Sequence, residues 1–229
     1  MCGRFTIAVP AAEIAELLGL PQLPPIVPRY NVAPTQQILA ARLTPEGKRE
    51  ALFLRWGLVP HWADDVRIAY KLINARCETV AAKSSFRDAF RKRRCLIPAD
   101  GFFEWKAEGK KKKPFRFRRR DGKPFLFAGL WERRERPGEE LLQTCTIVTT
   151  AANRVVHPFH ERMPVILTTD AGAKWLTPGP LSDVDVAELF APAADDFLIT
   201  EPVCDLVNSP RVDDPKCIEV VKELFDNPA

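Results

Sequence analysis

Twenty-one prolines against eleven glycines constrain this chain more than any other feature of its composition. Proline fixes φ and donates no backbone hydrogen bond, so it breaks helix interiors and is kept out of central strand positions. The stretch PQLPPIVPRYNVAPTQ (21–36) holds five of them and cannot be helical. Prolines so numerous divide a chain into short extended segments and fixed turns, which argues against a helical bundle.

Periodicity fills in the elements between those breaks. GRFTIAV (3–9) alternates as a strand, and PAAEIAELLGL (10–20) follows as a short helix with Pro10 near its first turn and Gly19 near its end. QQILAARL and EALFLRWGLVP are expected to pair around the turn TPEGK (44–48). SSFRDAFRKR (84–93) is amphipathic, with Phe86, Ala89 and Phe90 on one face and a serine at its start. RCLIPADGFFEWK, KPFRFRR, PFLFAGLWE and LLQTCTIVTT read as strands separated by turns, and PVILTT adds another. DAGAKWL and SDVDVAELF read as short helices. The chain shows no repeat and no linker. The expected fold is α+β, a single domain over 1–229 whose large, mostly antiparallel, barrel-like β-sheet is flanked by short helices.

Hydrophobic content of 46% and charged content of 28% are ordinary for a globular protein. No apolar run reaches membrane-span length, and Glu13 and Glu16 interrupt the only apolar stretch near the N-terminus. The expected location is therefore the cytosol (with the nucleoid, in a bacterium) or the nucleus, with no membrane partner. The six cysteines include no C-x-x-C pair, which removes zinc-ribbon and thioredoxin readings. Most should be free thiols buried as small hydrophobes, Cys95 and Cys145 among them. Neither a metal nor a cofactor is expected. The net charge of +4 hides two basic runs, four cations at 91–94 and eight between Lys110 and Arg120. Either run is a solvated face or a patch that displaces counterions from phosphates.

Cys2 carries the most specific chemistry. Once Met1 is removed, its α-amine and thiol lie on one residue, with unperturbed pKa values of about 7.7–8.0 and about 8.5. Amine attack on an aldehyde gives a Schiff base, and the thiol can then close a five-membered thiazolidine. With Met1 in place the amine is an amide, and Cys2 is only a strand cysteine. Glu104 lies among Phe102, Phe103 and Trp105 in ADGFFEW; on a strand it shares the side of Phe102. Burial among aromatics raises a carboxyl pKa and suits a proton shuttle, the alternative being a pair with an arginine. His160 stands with Glu161 and Arg162 in HPFHERMP as an acid/base beside a cation. LINARCET places Asn74 and Arg76 on one side of a strand. Trp56 reads as core, and Trp62, after a proline and a histidine, as a surface residue able to stack on bases.

Taken in order, MCGRF, RYNVAPTQ, RWGLVPHWA, INARCET, RRCLIPADGFFEWK, FAGLWE, TIVTTAAN, HERMPVIL and VNSPR make the chain similar, from about Cys2 to Glu219, to the SOS-response-associated peptidase family of abasic-site processing proteins. The resemblance implies a monomeric sensor of abasic sites in single-stranded DNA that loses Met1 and crosslinks the ring-opened sugar through Cys2. It implies that Asn74 orients the sugar or the N-terminus, that Glu104 assists proton transfer, and that His160 acts as acid/base on the sugar. Arg4, Arg76 and Arg162 then match DNA-backbone contacts, and Pro34 and Trp62 match residues that flank the lesion. Lys83, beside Ser84, stands where some bacterial members carry a further arginine, and His61 where some carry a second tryptophan. Two other readings stay open on the residues alone. One is an N-terminal-cysteine peptidase or amidohydrolase using Glu104 and His160. The other is a noncatalytic binder of single-stranded nucleic acid.

Overall fold

Strand β1 (Phe5–Ile7) leads through Pro10 into helix α1 (Ala11–Leu18), as the sequence predicts. Gly19 ends that helix in the left-handed region at φ 62°, and its amide bonds back to the last turn. The computed structural model describes residues 2–109 and 111–221. Strand β2 (Arg29–Val32) lies within the proline-rich stretch, and β3 (Gln37–Leu43) and β4 (Arg49–Trp56) follow it. The last two pair antiparallel from Gln37↔Arg55 to Leu43↔Arg49, around the predicted turn.

A short strand β5 (Asn74–Arg76) and helix α2 (Arg87–Lys92) precede β6 (Arg94–Ala99) and β7 (Gly101–Glu108). The α2 cap differs from expectation: Phe86 occupies it and no side chain caps the helix. Packing holds α2 instead, with Phe90 against Trp175 and Phe190 at ring separations of 5.9 and 6.0 Å. The segment RCLIPADGFFEWK is also not one strand, because the chain changes sheets at Asp100. The Asp100 carboxylate accepts from Thr6 Oγ1 and from the amides of Ala8 and Val9, and it pairs with Arg116. A Cβ on Gly101 would meet Arg116 Nε at 2.6 Å, so that crossing requires glycine.

Strands β8 (Lys111–Arg119), β9 (Phe125–Arg134) and β10 (Leu142–Ala151) follow. PVILTT divides into β11 (Arg162–Pro164) and β12 (Ile166–Leu167). Between them Val165 donates to Val148 of β10 and accepts from Ala128 of β9, so each half takes a different neighbour. Helices α3 (Thr169–Leu176) and α4 (Asp183–Leu189) and strand β13 (Leu198–Pro202) come last. Ser182 and Asp185 form a capping box at the start of α4.

The pairings β3–β4–β10–β9–β6–β3 close a five-stranded barrel, with β5, β11 and β12 attached to β10 and β9. A second, antiparallel sheet runs β13–β8–β7–β1–β2. The architecture is the expected α+β, mostly antiparallel and barrel-like, although β10 pairs parallel with β4 and β5. Phe5 joins the two layers, with its ring 5.3 Å from Trp56 and 5.8 Å from Phe127. Cys95, Cys145 and Trp56 are buried in the core, as their surroundings in the sequence suggest.

Candidate functional site

The two sheets meet where β1 begins, and Cys2 lies there, fully buried. Phe5 pairs with Phe102, and the Phe103 amide bonds to the Arg4 carbonyl, so the residues before Phe5 run antiparallel alongside Glu104. Alternation along β7 sends Phe102 into the barrel core with Cys2, and Phe103 into a separate cluster with Val207 and Cys217. Glu104 therefore shares the Phe102 side, as the sequence predicts, and is buried. Burial raises its carboxyl to about 7. Burial likewise pushes the Cys2 thiol far above its ordinary range, and the charge of Glu104 pushes it further. The thiol in this seat is protonated at neutral pH and needs a base to become a nucleophile.

Asn74 fixes the other side of Cys2. Its Nδ2 donates to the Cys2 carbonyl at 2.8 Å. The β10 ladder positions it, pairing Ile147 with Asn74 and Thr149 with Arg76. Two residues apart on one strand, Asn74 and Arg76 share a side, and Arg76 is exposed with no ion pair among the described residues. On the opposite edge of β10, Ala151 pairs with Arg162.

His160 precedes that strand and accepts a hydrogen bond at Nδ1 from the Arg162 amide, 2.9 Å away. The neutral ring therefore carries its proton on Nε2, and burial lowers its pKa below the ordinary imidazole value, which favours the uncharged form. Phe159 anchors the loop beside the Glu104 strand. Its ring lies 4.8 Å from that of Phe115, the register partner of Glu104. Asn74 and Glu104 thus flank Cys2, Arg76 and Arg162 take opposite edges of β10, and Phe159 brings the His160 loop to the β8 partner of Glu104.

The cations differ in what they can offer. The Arg162 guanidinium is forked onto Glu78, with Nη2 to Oε2 at 2.9 Å, and also donates to the Thr149 carbonyl at 2.6 Å. Those bonds hold the Glu78 carboxyl down at about 2. Arg4 donates to Asn31 Oδ1 and to the Val207 carbonyl, both at 2.7 Å, so its head is tied to the VNSPR segment. Lys83 is exposed on the turn after β5, its amide bonded to Thr79. Arg76 and Lys83 are thus the cations here that protrude without an ion pair.

Pro34 is half-buried and leads into Thr35, the one non-glycine residue at positive φ (75°) among those described. The Thr35 amide bonds to the Trp56 carbonyl, and Trp56 Nε1 donates to the Ile73 carbonyl next to Asn74. Pro34 is thereby connected to the Asn74 strand through one tryptophan. Trp62 is on the surface, as expected, at 47% exposure. Its segment is anchored near the start of β10, through the Val59 amide to Thr144 Oγ1 and the Ala63 carbonyl to Arg134. No described contact ties Trp62 to the Cys2 group.

Sequence reasoning missed Glu78, Asn31 and Asp213. Glu78 lies two residues after Arg76, yet nothing in INARCET signals that it reaches across to Arg162. Asp213 accepts from the amides of Tyr30 and Asn31, and Asn31 Nδ2 donates to the carbonyls of Ser209 and Val212. The basic run before Arg120 is largely neutralised, since Arg116, Arg118 and Arg119 pair with Asp100, Glu201 and Asp121. Lys111, Lys112 and Lys113 are exposed, Lys113 pairing with Glu108, while Lys110 lies outside the described residues.

Known proteins resemble this chain along most of its length. The family model for SOS response associated peptidase (SRAP) matches residues 1–210. The abasic site processing protein YoqW of Bacillus subtilis is 42% identical over 224 residues, covering 96% of this chain and 99% of that relative. YedK of Escherichia coli, also named an abasic site processing protein, is 35% identical over 183 residues, covering 77% and 79%. A crystal structure of a protein from Bacteroides thetaiotaomicron superposes with a TM-score of 0.85 at 27% identity, covering 96% of this chain and all of the other. With the model matched over most of the chain and such identity to full-length relatives, the chain belongs to the SOS response associated peptidase family.

Proposed function

We propose that this protein processes abasic sites in single-stranded DNA by capturing the ring-opened sugar on Cys2 as a thiazolidine, after Met1 has been removed. Met1 itself lies outside the described residues. One arrangement carries the reading: Cys2 is held by Asn74 at its carbonyl and has the Glu104 carboxyl beside its thiol. A cysteine with only a packing role has no use for a carboxyl of pKa about 7 next to it. The names of YoqW and YedK agree with an abasic-site substrate.

The chemistry follows from the protonation states. With the thiol protonated, the α-amine attacks the C1′ aldehyde first, forming a carbinolamine. Loss of water gives the imine, with a proton supplied to the departing hydroxyl by the acid form of Glu104, while the neutral His160 ring offers a hydrogen bond from Nε2. The carboxylate form of Glu104 then takes the thiol proton as sulfur attacks the imine carbon. The C–S bond forms, the C=N π bond breaks, and the proton passes from sulfur to nitrogen. The balance is aminothiol plus aldehyde giving thiazolidine plus water. A carboxyl titrating near 7 is populated in both forms at neutral pH and can serve both steps. Arg76 and Lys83 supply the phosphate contacts that hold the strand, and Pro34 flanks the lesion.

The test is a denaturing gel of the protein incubated with a single-stranded oligonucleotide carrying one abasic site. A band shifted by the mass of the protein is expected, and Cys2→Ala should abolish it. Protein that mass spectrometry shows to begin at Cys2, and that still gives no shifted band, overturns the proposal.

A further inference from the structure

The basic run FRKRR (90–94) has no place in the Cys2 site. Arg91 and Lys92 end α2 exposed, without an ion pair among the described residues. They line a cleft of about 940 Å³ whose lining also includes Arg42, Arg94 and Arg133 and, as its single acid, Glu50. Arg94 is structural, since it donates to the carbonyls of Phe90, Trp175 and Gly179 and pins the far wall. Arg42 is different. Its Nε donates to Glu50 at 2.7 Å and its guanidinium lies 4.0 Å from the centre of the Trp131 ring. Its Nη1 is buried and has no hydrogen-bond partner among the described residues. The lining thus gathers five cations against one acid, two of them exposed and without an ion pair among the described residues, and such a wall is complementary to phosphate oxygens.

This cleft is separate from the Cys2 site. Gln143, on its lining, lies at the start of β10, and Thr149, the partner of Arg76, lies six residues along. At about 3.4 Å per residue that is roughly 20 Å. A strand held at Cys2 has to run over the outside of the barrel to reach Arg91.

We propose that the cleft is a second phosphate-binding site for a nucleic-acid strand, gripping it at a distance from the residue that reacts. This extends the DNA-processing reading above and rests on it for the identity of the strand. The experiment compares wild-type protein with an Arg91→Ala/Lys92→Ala variant, using undamaged single strands of about twenty and of four nucleotides. Even at duplex spacing the long strand spans about 65 Å, while the three phosphates of the short one are two steps apart end to end, roughly 14 Å at twice the duplex rise, and cannot bridge the two sites. For the long strand we expect affinity to fall several-fold, and the slope of log K against log salt to shrink by about 1.4, or 0.7 for each phosphate that is no longer neutralised. Affinity for the tetranucleotide should stay at the wild-type value, and so should the melting temperature, because both side chains are exposed. Equal losses for the two lengths would reveal only a long-range field and overturn the proposal. Unchanged affinity for both would overturn it as well. Crosslinking of an abasic tetranucleotide is read in parallel. Its absence together with a length-dependent loss removes the Cys2 chemistry and leaves the cleft standing.

Discussion

Asn74→Ala tests most directly whether the Cys2 seat is built for chemistry. The substitution deletes one hydrogen bond, from Nδ2 to the Cys2 carbonyl at 2.8 Å. Asn74 Oδ1 is buried without a hydrogen-bond partner among the described residues, so the change acts through that single bond. Removing a donor from a buried carbonyl costs about 1–3 kcal/mol. If the bond holds Cys2 in its reactive position, that cost appears in the barrier and slows crosslinking about 5- to 160-fold. The assay is single-turnover crosslinking at saturating abasic-site DNA, quantified on a denaturing gel, with a thermal melt alongside. A chain of this size loses about 2–4 °C of Tm per kcal/mol, so the melt reports whether the bond was present. A lowered Tm with wild-type crosslinking would show that the bond only holds the fold together, and the positioning argument would fail.

Other expectations follow from the same geometry. Glu104→Gln should slow crosslinking and remove a rise in rate as pH climbs through about 7, where the wild-type carboxyl ionises; a wild-type profile in the variant would refute the shuttle. Because the folded pKa of Glu104 lies above its ordinary 4.5, the stability it contributes is present below pH 4.5 and lost as pH rises through 7. The Gln variant should therefore gain on wild type by roughly 3 kcal/mol between pH 4.5 and 8, seen as a widening difference in Tm. Trp62→Ala, at a half-exposed ring, should leave Tm unchanged and weaken binding of undamaged single strands by about 1–3 kcal/mol in an anisotropy titration, and equal affinity would remove the stacking role. Thr35→Gly relieves a β-branched residue at φ 75° and should raise stability by up to about 1 kcal/mol after the entropy of glycine is subtracted; a lower Tm would mean that the Thr35 side chain makes an interaction worth more than its strain.

The sequence by itself determined the class of fold and most of its elements, and it singled out the candidate reactive groups. Proline punctuation and period-2 patterning located most of the strands, though not β2 or β13, and alternation put Glu104 on the Phe102 side, since these depend only on near neighbours in the chain. Tertiary structure decided what crosses between elements. The division of RCLIPADGFFEWK at Asp100 depends on Thr6, Ala8, Val9 and Arg116, three of them more than ninety positions earlier in the chain. The tie of Arg162 to Glu78 spans 84 positions, and no local pattern encodes it. The same holds for Cys2. Its aminothiol chemistry is legible in two residues, but the raised pKa of its thiol and its tether to Asn74 exist only because the second sheet, carrying β1 and β7, packs on the barrel sheet that carries β5. Burial and long-range pairing set those properties, and both arise only when distant segments pack.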